Sequence, residues 1–359
     1  DSASSLCQSM YLLRTLSPVS CLLSPVSCLL SPGSHPPAVI SDLRLARVPV
    51  TPQGAGMTRC RLTHDGPEFS RLMLGTWRLL DDPVTRSPDG VLALLRAALD
   101  CGITTVDTAE IYGGYAVEAA LGAALRRDPG VRGRLEFVTK CGIYVPHAGA
   151  PDRRTAHYNA TASQIVASAE SSLRHLGLNV IDTLLIHRPD WLTAHEETAA
   201  GLNRLLASGK IRTAGVSNYS AAQFDALQAF MDRPLVTNQV EFSLFCPTPI
   251  HDGTFDQAQR LGFAPMAWSP LGGGRLFDPA DAAGQRLHAA MATLANRYEG
   301  APPESLAHAW VLAHPSRPIS ILGTNKPERV IAAARAAALT LDRQDWYALW
   351  EAAQGRRIP

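Results

Sequence analysis

Residues 104–108 read TTVDT, residues 135–140 LEFVTK and residues 181–187 IDTLLIH. Each is a short β-branched or apolar run that closes on a polar side chain: Asp107, Lys140 and His187. Helix-period stretches at 115–127 and 161–176 separate them, which is the strand–helix–strand pattern of a parallel sheet with helical crossovers. The pattern extends outward in both directions. Further strand runs lie at 72–77, 213–217, 236–241, 264–268 and 319–323, and further helical stretches at 89–100, 194–208 and 221–230. Ser163, Ser220 and Pro327 sit near helix starts, where caps and a first-turn proline belong. Gly102, Gly177, Gly209 and Gly262 sit at helix ends, where a left-handed residue closes the last turn. Eight strands over about 270 residues is the number that closes a (β/α)8 barrel. An open doubly wound sheet would carry G-x-G-x-x-G after a strand, and no strand run here is followed by one. The expected fold class is therefore α/β, a TIM barrel.

Composition agrees with that choice and removes other classes. The chain has 359 residues, 46% hydrophobic and 18% charged, enough to bury a sizeable core. With 33 basic and 32 acidic side chains it shows no electrostatic footprint for nucleic acid or anionic lipid. It contains no uninterrupted apolar run of the roughly 18 residues a membrane span needs. Seven cysteines, an odd number without metal-ligand spacing, argue against a disulfide framework or zinc cluster and for a reducing, cytoplasmic setting.

The first 56 residues differ from the rest. Residues 15–35 read TLSPVSC, LLSPVSC and LLSPGSH, three near-copies of one heptad. A proline in every unit opposes a coiled coil, seven residues are too few for a solenoid unit, and a basic signal-peptide start is missing. Residues 1–56 read as a low-complexity extension, disordered or non-native, with Met57 consistent with a natural start and 57–359 forming the barrel.

A barrel places its chemistry at the C-terminal ends of its strands. Asp107, Lys140 and His187 end the second, third and fourth runs, and Tyr112 follows in the loop after the second. Singly, each has a plainer reading: a turn former, a solvated strand end, a satisfied core histidine, a packing tyrosine. Together, four polar groups converging on one face point to a site. The set suits metal poorly, since lysine is cationic, but it suits proton transfer. An ammonium beside a phenol favours the phenolate and lowers its pKa, and the aspartate offsets burial of the ammonium. A neutral histidine can orient a carbonyl. Such an acid needs a hydride donor that no side chain supplies, which implies a nicotinamide cofactor.

The strings TTVDTAEIYGG, FVTKCG, IDTLLIHRPD, GVSNYS, TNQVEFS, MAWSPLGGG and ILGTNKPERV, in that order, resemble the aldo-keto reductase superfamily over about residues 60–359. HYNAT, AWSPLGGGRLF and DRQDWYALWEAA bring the chain nearest to its bacterial YdhF-type oxidoreductases. The resemblance implies a (β/α)8 barrel with an N-terminal β-hairpin cap and a C-terminal helical tail, binding NADPH without a dinucleotide domain. Its catalytic tetrad falls on Asp107, Tyr112, Lys140 and His187, with Tyr112 as general acid. Its nicotinamide contacts fall on Ser217, Asn218 and Gln239, with Trp268 as the stacking aromatic, where many relatives have tyrosine. Gly75 and Thr76 correspond to the loop near the nicotinamide ribose. Ser269, Pro270, Leu271 and Gly272, running on to Gly274, correspond to the pyrophosphate loop. Gly323, Thr324, Asn325, Lys326 and Arg329 correspond to the adenosine-phosphate segment, whose cationic and hydroxyl donors favour NADPH over NADH. Two departures are noted: Gly323 stands where lysine is frequent, and Ala332 and Ala333 where acidic or amide residues are, which leaves room for NADH.

Substrate contacts are expected from Trp77, Tyr144 and Trp191 at the mouth, suiting a small apolar or aromatic carbonyl. His157 and Tyr158 read as loop structure, and Trp346 with Trp350 as a core-facing helical stripe. The implied activity is NADPH-dependent reduction of an aldehyde or ketone. The alternative is an NADPH-binding sensor or regulatory subunit with vestigial turnover, since a fold alone does not dictate activity. A metal-dependent barrel isomerase or hydrolase lacks its ligand set at the strand ends, so no metal is expected.

Overall fold

The computed structural model describes residues 59–358. The heptad repeat, the extension over 1–56 and Met57 lie outside the described residues. Eight strands form a closed barrel: β1 Leu72–Gly75, β2 Thr105–Asp107, β3 Glu136–Cys141, β4 Ile181–Ile186, β5 Ile211–Ser217, β6 Asn238–Glu241, β7 Met266–Trp268 and β8 Ile319–Leu322. Each pairs in parallel with the next, and β8 returns to β1 through Ser320↔Leu72, Ile321↔Met73 and Leu322↔Leu74. All eight strand runs read from the sequence are present.

The crossover helices are α1 Pro88–Asp100, α2 Val117–Arg127, α3 Ala162–Leu176, α4 His195–Ala207, α5 Ala221–Gln228 and α6 Thr254–Leu261. After β7 come α7 Ala282–Leu294 and α8 Pro303–Leu312, and after β8 come α9 Pro327–Ala334 and α10 Arg343–Gln354. Ser220 opens α5 with a full capping box to Gln223, and Pro327 is the first residue of α9. Ser163 does not cap α3. It lies inside the first turn, while Thr161 occupies the cap position and turns its hydroxyl to Asn159 Oδ1 at 2.8 Å. Gly177 and Gly262 close α3 and α6 at φ 69° and 73°, a region that favours glycine.

Period-two alternation along the strands decides which side chains face the barrel interior. Val106, Phe137, Leu184 and Ile186 pack outward against helices, whereas Met73, Val138, Leu185, Met266 and Ile321 pack together inside. The hairpin Arg59–Arg61 with Glu68–Ser70 adds Leu62 and Phe69 to that interior cluster, closing one end of the barrel. At the tail, Trp346 of α10 stacks on Trp310 of α8 at 4.7 Å, and each indole N–H donates to the other's backbone carbonyl at 3.0 Å. Trp350 is buried beside them, so the stripe faces the core. Among the described residues no helix is long and apolar enough to cross a membrane, and no group of three or more His, Cys, Asp or Glu could hold a metal ion.

Candidate active site

The alternation that packs Val138 inward carries Lys140, two residues on, into the same interior, and likewise Leu185 carries His187 and outward Val106 leaves Asp107 inward. Three strand ends thus aim three polar groups at one place. Tyr112 joins them from the turn Tyr112–Tyr115, where Gly113 and Gly114 adopt φ 56° and 63°. A Cβ on Gly113 would stand 2.9 Å from Val117 Cγ2 and 3.0 Å from Leu80 Cδ1, so the turn is tight as well as left-handed.

Lys140 Nζ donates to the Asp107 carboxylate at 2.8 Å, to Tyr112 Oη at 2.9 Å and to the Thr108 carbonyl at 2.9 Å. All three of its N–H bonds are therefore engaged, and the lysine is 1% exposed. The Tyr112 ring meets His187 edge-on at 5.9 Å and Trp77 edge-on at 5.1 Å. His187 Nδ1 is buried without a partner.

Burial lowers the Lys140 ammonium, but Asp107 and Tyr112 outweigh it and hold its pKa above 10.5. Burial first, then the positive charges of Lys140 and Arg188, hold His187 well below 6.5, so its imidazole is neutral at physiological pH. Tyr112 departs from the sequence expectation. Burial raises the phenol above its ordinary 10.0, and the opposing pull of Lys140 does not overcome it. Tyr112 is thus a protonated phenol at neutral pH, held by an ammonium that can stabilise its anion as that charge forms.

A second polar group adjoins the first. Ser217 ends β5, Gln239 lies in β6 and Trp268 ends β7. Gln239 Nε2 donates to Asp107 Oδ1 at 2.8 Å, joining the two groups. Ser217 Oγ donates to the Gln239 carbonyl at 2.8 Å, Asn218 Nδ2 to Ser217 Oγ at 2.8 Å, and Trp268 Nε1 to Asn218 Oδ1 at 3.1 Å. Asn218 and Ser269 hold φ 60° and 52°, left-handed positions that asparagine tolerates and serine seldom takes. Thr76 is buried, its hydroxyl on the Asp107 carbonyl at 3.0 Å. Gly75 has a packing reason: a Cβ there would stand 2.6 Å from the Leu322 carbonyl.

Beyond Trp268, Pro270 is buried and Leu271 half-buried, and Gly272, Gly273 and Gly274 take φ 62°, 68° and 109°. A Cβ on Gly272 would meet the Phe245 ring at 2.4 Å, whereas the space beyond Gly273 and Gly274 is open. The backbone at Gly273 and Gly274 can therefore be approached closely, although the Gly274 N–H is itself donated to the Leu271 carbonyl at 3.3 Å. Thr324 is half-buried, Lys326 and Arg329 are exposed, and no atom lies within 4 Å of a Cβ built on Gly323. Arg78, which the sequence reading did not single out, ties these loops together. Its Nη2 donates to the Gly273 carbonyl at 3.3 Å, and its own carbonyl accepts from Asn325 Nδ2 at 3.0 Å. Its place beside Trp77 after β1 was the only signal.

The three aromatics expected at the mouth separate. Trp77 is half exposed and touches Tyr112. Trp191 is 77% exposed and packs edge-on against Tyr158 at 5.6 Å. Tyr144 is not brought to the tetrad group. It is buried, with its hydroxyl on Ser168 at 2.9 Å and its ring stacked on His157 at 5.5 Å. The cause is a small antiparallel pairing of Ile143–Tyr144 with His157–Tyr158, so the latter two form a short strand where the sequence reading expected loop.

The chain and its barrel match a known family. The family model described as "Aldo/keto reductase family" covers residues 71–354. The chain belongs to the aldo/keto reductase family. It is 44% identical over 298 residues to a 6-dehydroglucose reductase of Agrobacterium fabrum, spanning 82% of the chain and 97% of that protein. It is 44% identical over 301 residues to the oxidoreductase YdhF of Escherichia coli, spanning 84% and 99%. Among solved structures, an aldo/keto reductase from Klebsiella pneumoniae in complex with NADP and acetate superposes with TM-score 0.67 at 28% identity, covering 81% of this reductase and 94% of that chain.

Proposed function

We propose that this reductase converts a small aldehyde or ketone to its alcohol with NADPH, using Tyr112 as the general acid. The observation that carries the reading is the Lys140 ammonium, 2.8 Å from Asp107 and 2.9 Å from the Tyr112 hydroxyl. The cofactor, when bound, supplies the hydride. Tyr112 gives its proton to the carbonyl oxygen as negative charge develops there, and Lys140 stabilises the resulting phenolate. Asp107 keeps the ammonium charged in its buried setting, and neutral His187 orients the carbonyl.

The chain's own residues fit the cofactor. Asn218, Ser217 and Gln239 would hold its carboxamide, and Trp268 would offer a ring face to its nicotinamide. The open space beside the backbone of Gly273 and Gly274 suits a pyrophosphate. Thr324, Lys326 and Arg329 provide hydroxyl and cationic donors for a 2′-phosphate, with NADH as the weaker alternative. Trp77, beside the acid, forms an apolar wall for the substrate, and the sugar aldehyde named by one relative belongs in the substrate panel.

The test is NADPH oxidation against aldehydes, quinones, diketones and 6-dehydroglucose, with Tyr112→Phe in parallel. Removing the acid should lower kcat by about 100-fold or more, the usual worth of a positioned proton donor. Unchanged turnover by Tyr112→Phe would overturn the assignment of the acid. Saturable NADPH binding with no turnover on any carbonyl would favour the sensor reading.

A further inference from the structure

We infer that Glu110 and Tyr115 are positioning residues that clamp the turn carrying Tyr112 to the chain running on from β3, and so set the contact between Tyr112 and Lys140. The inference rests on the reading of Tyr112 as the acid. It goes further, because neither side chain belongs to the four converging groups.

The chain beyond β2 leaves the sheet in stages. Thr108 N–H donates to the Val138 carbonyl at 2.9 Å, and Glu110 N–H to the Lys140 carbonyl at 3.1 Å. These are rungs of a regular parallel ladder, whose next rung would bring the Gly142 N–H to the Glu110 carbonyl. A side chain makes that rung instead: Gly142 N–H donates to Glu110 Oε1 at 2.9 Å. The backbone is thereby released to turn at Tyr112 while Glu110 still grips β3 on either side of Cys141. Burial raises the Glu110 carboxyl to about 7, so both of its forms are present near neutrality. Each form keeps an oxygen that can accept the Gly142 N–H, as would a glutamine.

Tyr115 fastens the far side of the turn. Its hydroxyl donates to the Ile143 carbonyl at 3.3 Å and accepts from the Val145 N–H at 3.0 Å. Burial holds this phenol above its ordinary 10.0, so it keeps the hydrogen that the first bond needs. Its ring lies 4.6 Å from that of His147, and the Arg153 guanidinium sits over it at 5.1 Å. Tyr115 also holds φ 72°, a left-handed conformation costly for a bulky residue. Such a conformation persists where surrounding contacts over-determine it, and here the contacts run to residues 143–153.

Between the clamps lie Ile111, Tyr112 and two glycines in left-handed conformations. Both clamps end on residues 142–145, directly after Lys140. They therefore hold the acid and the ammonium to one another, with Tyr112 Oη 2.9 Å from Lys140 Nζ.

Steady-state kinetics of the full chain with NADPH and phenanthrenequinone test this. An ångström of misplacement can cost about 100-fold in rate, and we expect partial loosening in Glu110→Ala and in Tyr115→Phe to lower kcat by about 10-fold each, with KM for NADPH within about 2-fold of the parent. Glu110→Gln keeps an acceptor oxygen and should retain kcat within about 3-fold. In a Tyr112→Phe background the same changes should alter the residual kcat by less than about 2-fold, since they act through that hydroxyl. Amide exchange gives a readout independent of turnover. It should quicken by about 10-fold or more at Gly142 in Glu110→Ala and at Val145 in Tyr115→Phe, with melting temperature as the control for folding. A kcat within about 2-fold of the parent in both variants overturns the inference and leaves Tyr112 as the acid. Losses equally large in the Tyr112→Phe background overturn it too, reducing both side chains to general structural bonds. Unchanged exchange at both amides overturns the clamps whatever the turnover. Unchanged turnover by Tyr112→Phe itself overturns the reading of the acid, and the inference with it.

Discussion

Asp107 and Lys140 are 3% and 1% exposed and 2.8 Å apart, so neutralising either one strands the other's charge in the barrel. At an effective dielectric near 20 their attraction is about 6 kcal/mol, most of it offset by the desolvation of both ions. Breaking such a pair from one side costs about 3–5 kcal/mol, because the remaining charge is buried and unpaired. Over about 300 ordered residues at about 2.1 cal/mol/K each, that is a melting-temperature drop of roughly 5–8 °C. In Asp107→Asn the stranded group is an ammonium that burial drives toward its neutral form, so its penalty is absent in strong alkali and grows as pH falls from the ordinary lysine range. The double variant Asp107→Asn/Lys140→Met holds no charge there and should lose less than the sum of the singles by at least about 2 kcal/mol. The assay is calorimetric melting of all four proteins at about pH 7, with Asp107→Asn and the double variant followed up to about pH 10. Additive losses, or an Asp107→Asn deficit that does not shrink toward alkali, would refute the account of Asp107 as the group that keeps Lys140 charged.

Three further outcomes follow from the same structure. Because Tyr112 is held above 10.0 by burial and His187 well below 6.5, kcat/KM for reduction should be level from about pH 6 to pH 9, with no histidine limb; a step near the ordinary imidazole pKa would place a charged His187 in the mechanism. Burial holds His308 down to about 4, so the folded state favours its neutral form and stability is lost as pH falls below the ordinary 6.5. At pH 5 the cost is about 2 kcal/mol, and His308→Gln should flatten the fall in melting temperature between pH 7 and pH 5. Gly323 has open space around it and no left-handed φ, so Gly323→Lys should fold normally and tighten NADPH binding by about 3–10-fold without improving NADH; equal gains for both would separate the effect from the 2′-phosphate.

Much of the barrel was legible because each of its signals is local. A β-branched run ending on one polar residue, followed by a helix-period stretch, states both the strand and the side chain at its end. Alternation then carries Asp107, Lys140 and His187 inward without any tertiary knowledge. Tyr112 was legible for a different reason, since the glycines after it permit the turn that brings it back over the strand ends. Local signals fail where two elements decide jointly. Tyr144 lies only four residues beyond Lys140 and looked like a mouth residue, but the pairing of its short strand with His157–Tyr158 turned it into a buried one. Ser163 looked like a cap, yet the chain entering α3 placed Thr161 there.

The direction of the Tyr112 shift illustrates the same division in energetic terms. The sequence places an ammonium beside the phenol, and that alone lowers a pKa. It does not state how completely barrel and helices exclude water from the phenol, and here burial is the larger effect. The outcome suits an acid better than the local expectation did. A phenol already ionised at neutral pH would have no proton to give, whereas a protonated one poised against a charged lysine gains its stabilisation only as the proton leaves. Interactions stronger in the transition state than in the ground state are the ones that raise kcat. The orientation of the amide network has the same origin. Ser217, Asn218 and Gln239 are each readable as polar, but which of their atoms remain free depends on Trp268, the His187 carbonyl and Asp107, contributed by other strands and their loops. Sequence names the groups at such a site; the closure of the barrel decides which proton or lone pair each one presents.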